Sequence, residues 1–316
     1  MRAIRFHQPG GPEVLTVDEV ADPVPTGDQL LINVTASGVN YADIERVAGV
    51  YDPPKVLPHI LGGEVVGRTA DGRRIAGLTR GGGGYATRAA VEAHHAVEVP
   101  DPIDDGQALA VLVQGLTAWH LLRSAARLTE GETVVVHAAA GGVGSLLVQL
   151  ARHFGAGRVI AVASTPEKRE LALKLGADVA IDADPDTYVD RVLAATGGAG
   201  ADVVLDANAG PILAAAVEVL APFGRVYSYG DAGNEGRGLV DPEKLAERNA
   251  AVGGFWIGPV LNRPEIFAGP VADMFGLITS GALNPLVSAE YPFDEVKRAL
   301  TDMRERRTTG KVWLRI

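Results

Sequence analysis

The chain has 316 residues, 47% hydrophobic and 22% charged, with a formal net charge of -10 and no cysteine. That acidic balance, with no run of Lys or Arg, argues against a nucleic-acid surface or an anionic membrane as the main partner. Without thiols neither a disulfide nor a thiolate zinc site can form, and the length leaves room for two domains.

The N-terminus runs straight into strand-like sequence with no apolar signal core, and no apolar run approaches membrane-spanning length. A cytoplasmic protein is expected. Residues 1–110 read as mostly strand and loop. Ala3–Phe6, Val14–Asp18, Gln29–Ala36, Gly62–Gly67 and Tyr85–Val91 are the strand candidates, with a turn at Pro9–Pro12 between the first two. Frequent Gly and Pro between short strands suggests a compact β barrel or sandwich. No helical pattern follows Gly81–Gly84, so this stretch reads as a flexible connection between strands and not as a phosphate loop.

Gln107 to Leu122 is rich in Ala, Leu and Val and reads as helix. At Thr133 a β/α alternation begins. The β-branched run Thr133–His137 feeds the glycine cluster Ala138–Gly144. Val143, Leu146, Leu147, Leu150, Ala151 and Phe154 then recur at the spacing of one helix face. Strand, glycine turn and helix make the first half of a dinucleotide-binding unit. Set against G-x-G-x-x-G, Ala139–Gly144 has alanine at the first position. Gly141 keeps side chains away from a pyrophosphate, and Gly144 lets the helix pack close to the strand. The helix start offers N–H groups and a positive dipole end to the phosphates.

Further strands are expected at Val159–Ala163, Val179–Asp182, Val203–Asp206, Arg225–Tyr229 and Val252–Ile257. Between them lie a helix opened by Thr165 as N-cap and Pro166 at its first position, and helical patterns at Tyr188–Ala195 and Ile212–Leu220. This alternation implies a parallel sheet covered on both faces. Beyond Pro264 it stops. Helices at Glu265–Ser280 and Phe293–Glu305 precede a closing strand, Lys311–Ile316, expected to return to the N-terminal domain.

An acidic residue about 20 positions past the glycine motif holds the ribose 2′-hydroxyl in NAD-binding units. Here that place is Ser164, with Lys168 and Arg169 within one helical turn. A neutral hydroxyl and two cations suit a 2′-phosphate. A Lys-Arg pair also fits a solvated helix face, but its coincidence with the missing acid favours NADPH.

Together, Ala138–Gly144, Gly115–Ala118 and Ser164–Gly176 resemble the zinc-independent quinone oxidoreductases, the zeta-crystallin-like branch of the medium-chain dehydrogenase/reductases. Gly38–Asp43, Gly49–Tyr51, Gly62–Gly67 and Thr309–Val312 are similar to the same family, so the resemblance covers nearly the whole chain. It implies an α/β protein: a GroES-like β-rich catalytic domain from residues 1–110, completed by 264–316, and a Rossmann doubly wound parallel sheet from 111–263. It implies NADPH as cofactor and a homodimer, with Val252–Ile257 as the candidate edge strand. A strand covered by the following helix is the other reading of that segment.

By the same resemblance, Asn40 sits beside the nicotinamide, Thr117 lines the same pocket and Tyr51 lines the substrate cleft. Asn40, Asp43 and Tyr51 are the catalytic candidates. The expected cofactor contacts are Asn40, Thr117, Ala140, Gly141, Gly142, Val143, Ser164, Lys168, Arg169, Asn208, Tyr229, Gly230, Phe255 and Trp256. Asn40 could instead cap a turn with Asp43, and Tyr51 could simply pack. Zinc relatives carry cysteine where Asn40 stands and histidine where Gly63 stands, so no metal is expected. His59, His94, His95 and His137 are assigned surface or packing roles, with His94 and His95 on opposite faces if they lie on a strand. Glu45 stands where the family often has an aromatic, and Arg68–Arg74 is shorter than usual.

The chemistry implied is hydride transfer to a small molecule. The cofactor carries the difficult step. Without a Lewis acid the favoured substrates are already electrophilic: a quinone or another enone. An enoyl reductase of a biosynthetic pathway would use the same residues, and a non-catalytic, crystallin-like NADPH-binding protein would look the same on paper. RNA binding is disfavoured by the acidic balance.

Overall fold

The computed structural model describes residues 1–79, 81–233, 235–236 and 238–316. Its first strands are β1 (Arg2–Phe6), β2 (Leu15–Glu19), β3 (Leu30–Val39), β4 (His59–Ile60), β5 (Glu64–Arg68), β6 (Arg74–Leu78), β7 (Arg88–Val91) and β8 (Ala96–Glu98). Then come β9 (Thr133–Val136), β10 (Arg158–Val162), β11 (Val179–Ile181), β12 (Ala201–Asp206), β13 (Leu220–Ser228) and β14 (Ala251–Gly254). The last two are β15 (Val287–Pro292) and β16 (Lys311–Arg315). The chain divides into two units: Met1–Gly115 with Pro259–Gly281 and Pro285–Ile316, and Leu116–Gly258 with Ala282–Asn284.

The first unit holds a seven-stranded sheet ordered β15-β16-β3-β5-β6-β8, with β7 also paired to β3, and a three-stranded sheet ordered β2-β1-β4. The closing strand does return to N-terminal sequence: β16 pairs antiparallel with β3, Val312 opposite Val39. Ile4, Phe6, Leu15, Val39, Leu61, Tyr85, Leu300 and Leu314 form one buried cluster here.

Three features of this unit differ from the sequence reading. A helix, Tyr41–Ala48, stands where only strand and loop are expected. Eight residues are too few for a clear 3.6-residue period. The helix is instead fixed at its ends: the Asp43 carboxylate accepts from the Asn40 backbone N–H at 2.9 Å, and Gly49 turns left-handed at φ 77°. Strand β6 is rich in Ala and Gly and has little β propensity of its own, yet ladders to β5 and β8 on either side hold it. Gly81, Gly82 and Gly83 all adopt positive φ. The stretch is tied down by backbone bonds, Gly83 N–H to Ile60 O at 2.8 Å and Gly84 N–H to Gly62 O at 3.0 Å, which corrects the expected flexible connection.

The second unit is one six-stranded sheet, all parallel, ordered β11-β10-β9-β12-β13-β14. This is the expected doubly wound arrangement, with its order reversing between β9 and β12. Val135, Ile160, Val204 and Val226 from its central strands pack with Tyr188, Val192, Ile212 and Leu213 from two helices, Pro185–Ala195 and Gly210–Glu218. Strands buried this way read as short continuous apolar runs, which is why they stand out in the sequence. Residues 105–125 are helical throughout, but Val111–Gly115 and Leu121–Ala125 are wound as π turns. Such turns often mark functional positions. No helix among the described residues is long and apolar enough to cross a membrane.

Candidate active site

In the second unit, most of the expected cofactor residues gather at one edge of the sheet. Ala140–Val143 follow β9, Ser164 follows β10, Asn208 follows β12, Tyr229 and Gly230 follow β13, and Phe255 and Trp256 follow β14. All lie at the carboxyl ends of parallel strands, the ligand side of an open α/β sheet. Thr117 is buried on the short helix Leu116–His120.

The glycine turn leads into the helix Gly142–His153. Gly141 is its N-cap, and no side chain caps it. A Cβ on Gly141 would meet only the Ala138 carbonyl, at 3.1 Å, whereas one on Gly144 would lie 2.8 Å from both Ala138 C and Ala139 Cα. Gly141 therefore leaves an open approach to the backbone, and Gly144 closes the helix onto the strand. Ala138 itself adopts φ 48°, a left-handed conformation costing an alanine roughly 1 kcal/mol.

Beneath this turn lies a buried polar chain. His137 Nδ1 pairs with Asp206 Oδ1 at 2.9 Å, and His137 Nε2 with the Tyr188 hydroxyl at 2.9 Å. Burial pushes the Asp206 carboxyl up. The His137 ring and the Asn208 N–H outweigh that and hold it below the usual carboxylate range. The chain ties β9 to β12 where the strand order reverses, with His137 fully buried at its centre.

At the end of β10, Ser164 is exposed. Thr165 caps the helix Pro166–Lys174 by accepting from the Lys168 N–H at 3.3 Å, as its sequence position predicts. Arg169 Nη1 donates to the Ala163 carbonyl at 3.1 Å, so its guanidinium is anchored at the strand end beside Ser164. On the loop after β13, the Tyr229 hydroxyl and Asp231 Oδ1 are buried with no hydrogen-bond partner among the described residues. Unpaired buried polar atoms are costly and call for a ligand or water. The uncapped helix start, the open glycine and these atoms fit a phosphorylated dinucleotide.

In the first unit, Asn40 does not cap the helix with its side chain. Its Nδ2 donates instead to Glu64 Oε1 at 2.8 Å, and its Oδ1 accepts from Gln114 Nε2 at 3.2 Å and Lys311 Nζ at 3.3 Å. Lys311 also pairs with Glu64 Oε1, and Glu64 Oε2 accepts from the Val113 N–H at 2.9 Å. Val113 lies in the first π turn. A Cβ on Gly38 would collide with the Glu64 carboxylate, so this strand glycine makes room for it. Glu64, Lys311 and Gln114 carry no assigned role in the sequence reading. The available sign was a charged residue at an inward position of each of two apolar strands. As a donor set for a metal ion this cluster is poor: its carboxylate is already joined to an ammonium, and its amide oxygen already accepts two hydrogen bonds.

Asp43 is placed differently from the expectation of a reacting group. It is 4% exposed, and its Oδ2 accepts from both the Asn40 N–H and the Tyr85 hydroxyl, each at 2.9 Å. It clasps the start of the helix. Burial raises its pKa to about 6, against the opposing pull of Asn40, Tyr85 and Arg46 and with a smaller push from Glu64. A carboxyl raised on folding stabilises most below its unfolded value near 3.8 and loses that contribution as pH rises through 6. Asp43→Asn keeps one oxygen for both donors. Its unfolding free energy should gain on the wild type as pH rises from 4 to 7, by no more than about 3 kcal/mol. Denaturant titrations at several pH values would check this, and parallel pH profiles would refute it. Tyr51 is half-buried, with the Arg46 guanidinium 6.0 Å from its ring centre.

His95 is fully buried with Nε2 2.6 Å from the Leu261 carbonyl, and His59 Nε2 lies 2.9 Å from the Gly81 carbonyl. His94 and His95 do not lie on a strand. They sit in a 3-10 turn with ring centres 4.1 Å apart, so the condition under which they would face opposite ways is not met.

Residues 142–274 match a family described as zinc-binding dehydrogenase. A phenolphthiocerol/phthiocerol polyketide synthase of Mycobacterium tuberculosis is 36% identical over 235 residues. The match takes in 72% of this chain but only 11% of that protein's length. A quinone oxidoreductase of Pseudomonas aeruginosa is 33% identical over 324 residues, 99% of each chain. The crystal structure of Escherichia coli quinone oxidoreductase complexed with NADPH superimposes with a TM-score of 0.93 at 29% identity, covering all of both chains. Those neighbours combine Rossmann and GroES-like domains. The chain belongs to the quinone oxidoreductase family of the medium-chain dehydrogenase/reductase superfamily.

Proposed function

We propose that this protein is an NADPH-dependent oxidoreductase that transfers a hydride, without zinc, to a quinone or another electron-poor α,β-unsaturated carbonyl. The observation that carries this reading is the end of β10. An exposed serine stands there in place of an acid, beside an arginine fixed to the strand-end carbonyl. That arrangement accepts a 2′-phosphate and gives the 2′,3′-diol of NADH no carboxylate partner. The full-length likeness to a quinone oxidoreductase supports the substrate class.

In this reading Gly141, Gly142 and Val143 receive the pyrophosphate on their backbone N–H groups. Ser164, Lys168 and Arg169 hold the 2′-phosphate. Asn208, Tyr229, Gly230, Phe255, Trp256, Ala140 and Thr117 complete the binding surface. NADPH supplies the hydride when bound. Asn40 and Tyr51 serve the reacting end, with Asp43 positioning Asn40 through its backbone. Cytoplasmic location and a homodimer belong to the same proposal. In support of the dimer, β14 pairs on one side only among the described residues, and Val252 on it is 41% exposed. Light scattering tests the dimer.

The function is tested by following NADPH at its absorbance band with a benzoquinone, a naphthoquinone, an enone and an enoyl thioester, each repeated with NADH. Quinone turnover with NADPH well above NADH is expected. Turnover of the thioester alone would make the protein an enoyl reductase. Tight NADPH binding with no turnover would point to the non-catalytic reading.

A further inference from the structure

Lys311 and Glu64 are 1% and 0% exposed, while Asn40 and Gln114 keep 8% and 7%. Both lone pairs of the Asn40 carbonyl are spent inside the protein, one on Lys311 and one on Gln114. Of its two side-chain N–H bonds, one goes to Glu64 and the other has no partner among the described residues. Beside it, Gln114 Oε1 is a buried acceptor that is also unpartnered. Asn40 can therefore offer a ligand a donor and nothing else. The Lys311 ammonium bonded to the amide oxygen draws electron density from the amide nitrogen and strengthens this N–H as a donor, against the opposing pull of the Glu64 carboxylate on the other N–H.

We propose that Asn40 and Lys311 form an electrophilic relay. The Asn40 N–H binds the carbonyl oxygen of the substrate, and Lys311, acting through the amide, stabilises the negative charge that this oxygen gains. This rests on the proposed hydride transfer. As a C–H bond forms, the substrate's π electrons shift and the carbonyl pair ends on oxygen. The two electrons come from the dihydronicotinamide, which is oxidised. For an enone, a proton from solvent then completes the α-carbon of the saturated ketone. For a quinone, that proton goes to the enolate oxygen, and the extra ring C–H proton is exchanged through solvent for one on the second oxygen, which gives the hydroquinone. Asn40 keeps its protons throughout, and Lys311 is a positioning residue. The relay requires an acceptor oxygen conjugated to the reacting carbon, so an isolated alkene is not a substrate.

Asn40→Ala and Lys311→Met should each lower kcat for a benzoquinone by roughly tenfold to a hundredfold. The double variant should fall no further than Asn40→Ala alone, because Lys311 acts only through the amide. Lys311→Met leaves a buried carboxylate without its cation and can fail to fold. A second measurement therefore uses Asn40→Ala, which keeps the Lys311–Glu64 pair. 4-Nitrophenol, an oxyanion probe, is titrated by absorbance on the protein without cofactor. Bound to the wild type it should ionise about one pH unit below its value in water, and on Asn40→Ala that shift should vanish. Ionisation at the solution value on the wild type overturns the relay. So does a further loss of kcat on adding Lys311→Met to Asn40→Ala in a double variant that melts with Asn40→Ala. The nitrophenol titration involves no hydride, so its failure counts against the relay alone. Absence of turnover of every quinone and enone by the wild type counts against the proposed function.

Discussion

Gly144→Ala should cripple the nucleotide-binding unit through its fold. The added methyl group would sit against the Ala138 carbonyl oxygen and 2.8 Å from Ala138 C and Ala139 Cα. These are backbone atoms at the exit of β9, and they cannot turn aside as a flexible side chain would. Either the helix Gly142–His153 lifts off the sheet or the turn is rebuilt. The helix face at risk includes Leu146, Leu147, Leu150 and Ala151, all buried. Overpacking of this kind costs about 3 kcal/mol, and the displaced helix start loses its aim at the phosphates. A lowered melting temperature together with at least a tenfold weaker NADPH dissociation constant is expected. Gly141→Ala is the control. Its methyl meets only one atom, at 3.1 Å, so it should melt near the wild type and lose affinity alone. A Gly144→Ala variant that melts with the wild type would refute the packing argument.

The contrast between these two glycines shows what the sequence makes legible. The second unit is built from local pieces: an apolar strand, a turn, an amphipathic helix, repeated. Each piece announces itself within 30 residues, and the parallel order follows from the repetition. Thr165 and Pro166 even mark a helix start to the residue. The first unit is built the other way. Lys311 meets Glu64 across 247 positions and Asn40 across 271, so no window of sequence contains the cluster. Gly38 reads as a weak spot in a strand until the carboxylate above it is seen. The π turn that brings the Val113 N–H to Glu64 leaves no mark on an otherwise helical stretch. Asp43 was legible as a position but not as a role, because burial and two donors on one oxygen make it a clasp.

Replacing Lys168 and Arg169 together by alanine should collapse the discrimination between the two nicotinamide dinucleotides. The pair occupies the first turn of the helix Pro166–Lys174, where the helix dipole already favours an anion. Charge-assisted bonds to a phosphate contribute about 1.5–3 kcal/mol each. Losing two should weaken NADPH by at least a hundredfold, even with incomplete additivity. NADH has no 2′-phosphate to lose contact with, so its affinity should move by less than about threefold and the melting temperature should hold. Arg169 alone also releases the Ala163 carbonyl, so its single variant should carry the larger share. Fluorescence titrations with both nucleotides at two salt concentrations make the check, because charge recognition weakens as salt rises. Equal losses for NADPH and NADH would mean that the pair shapes the fold of the helix. No loss for either would make it a solvated face and would remove the observation on which NADPH preference rests.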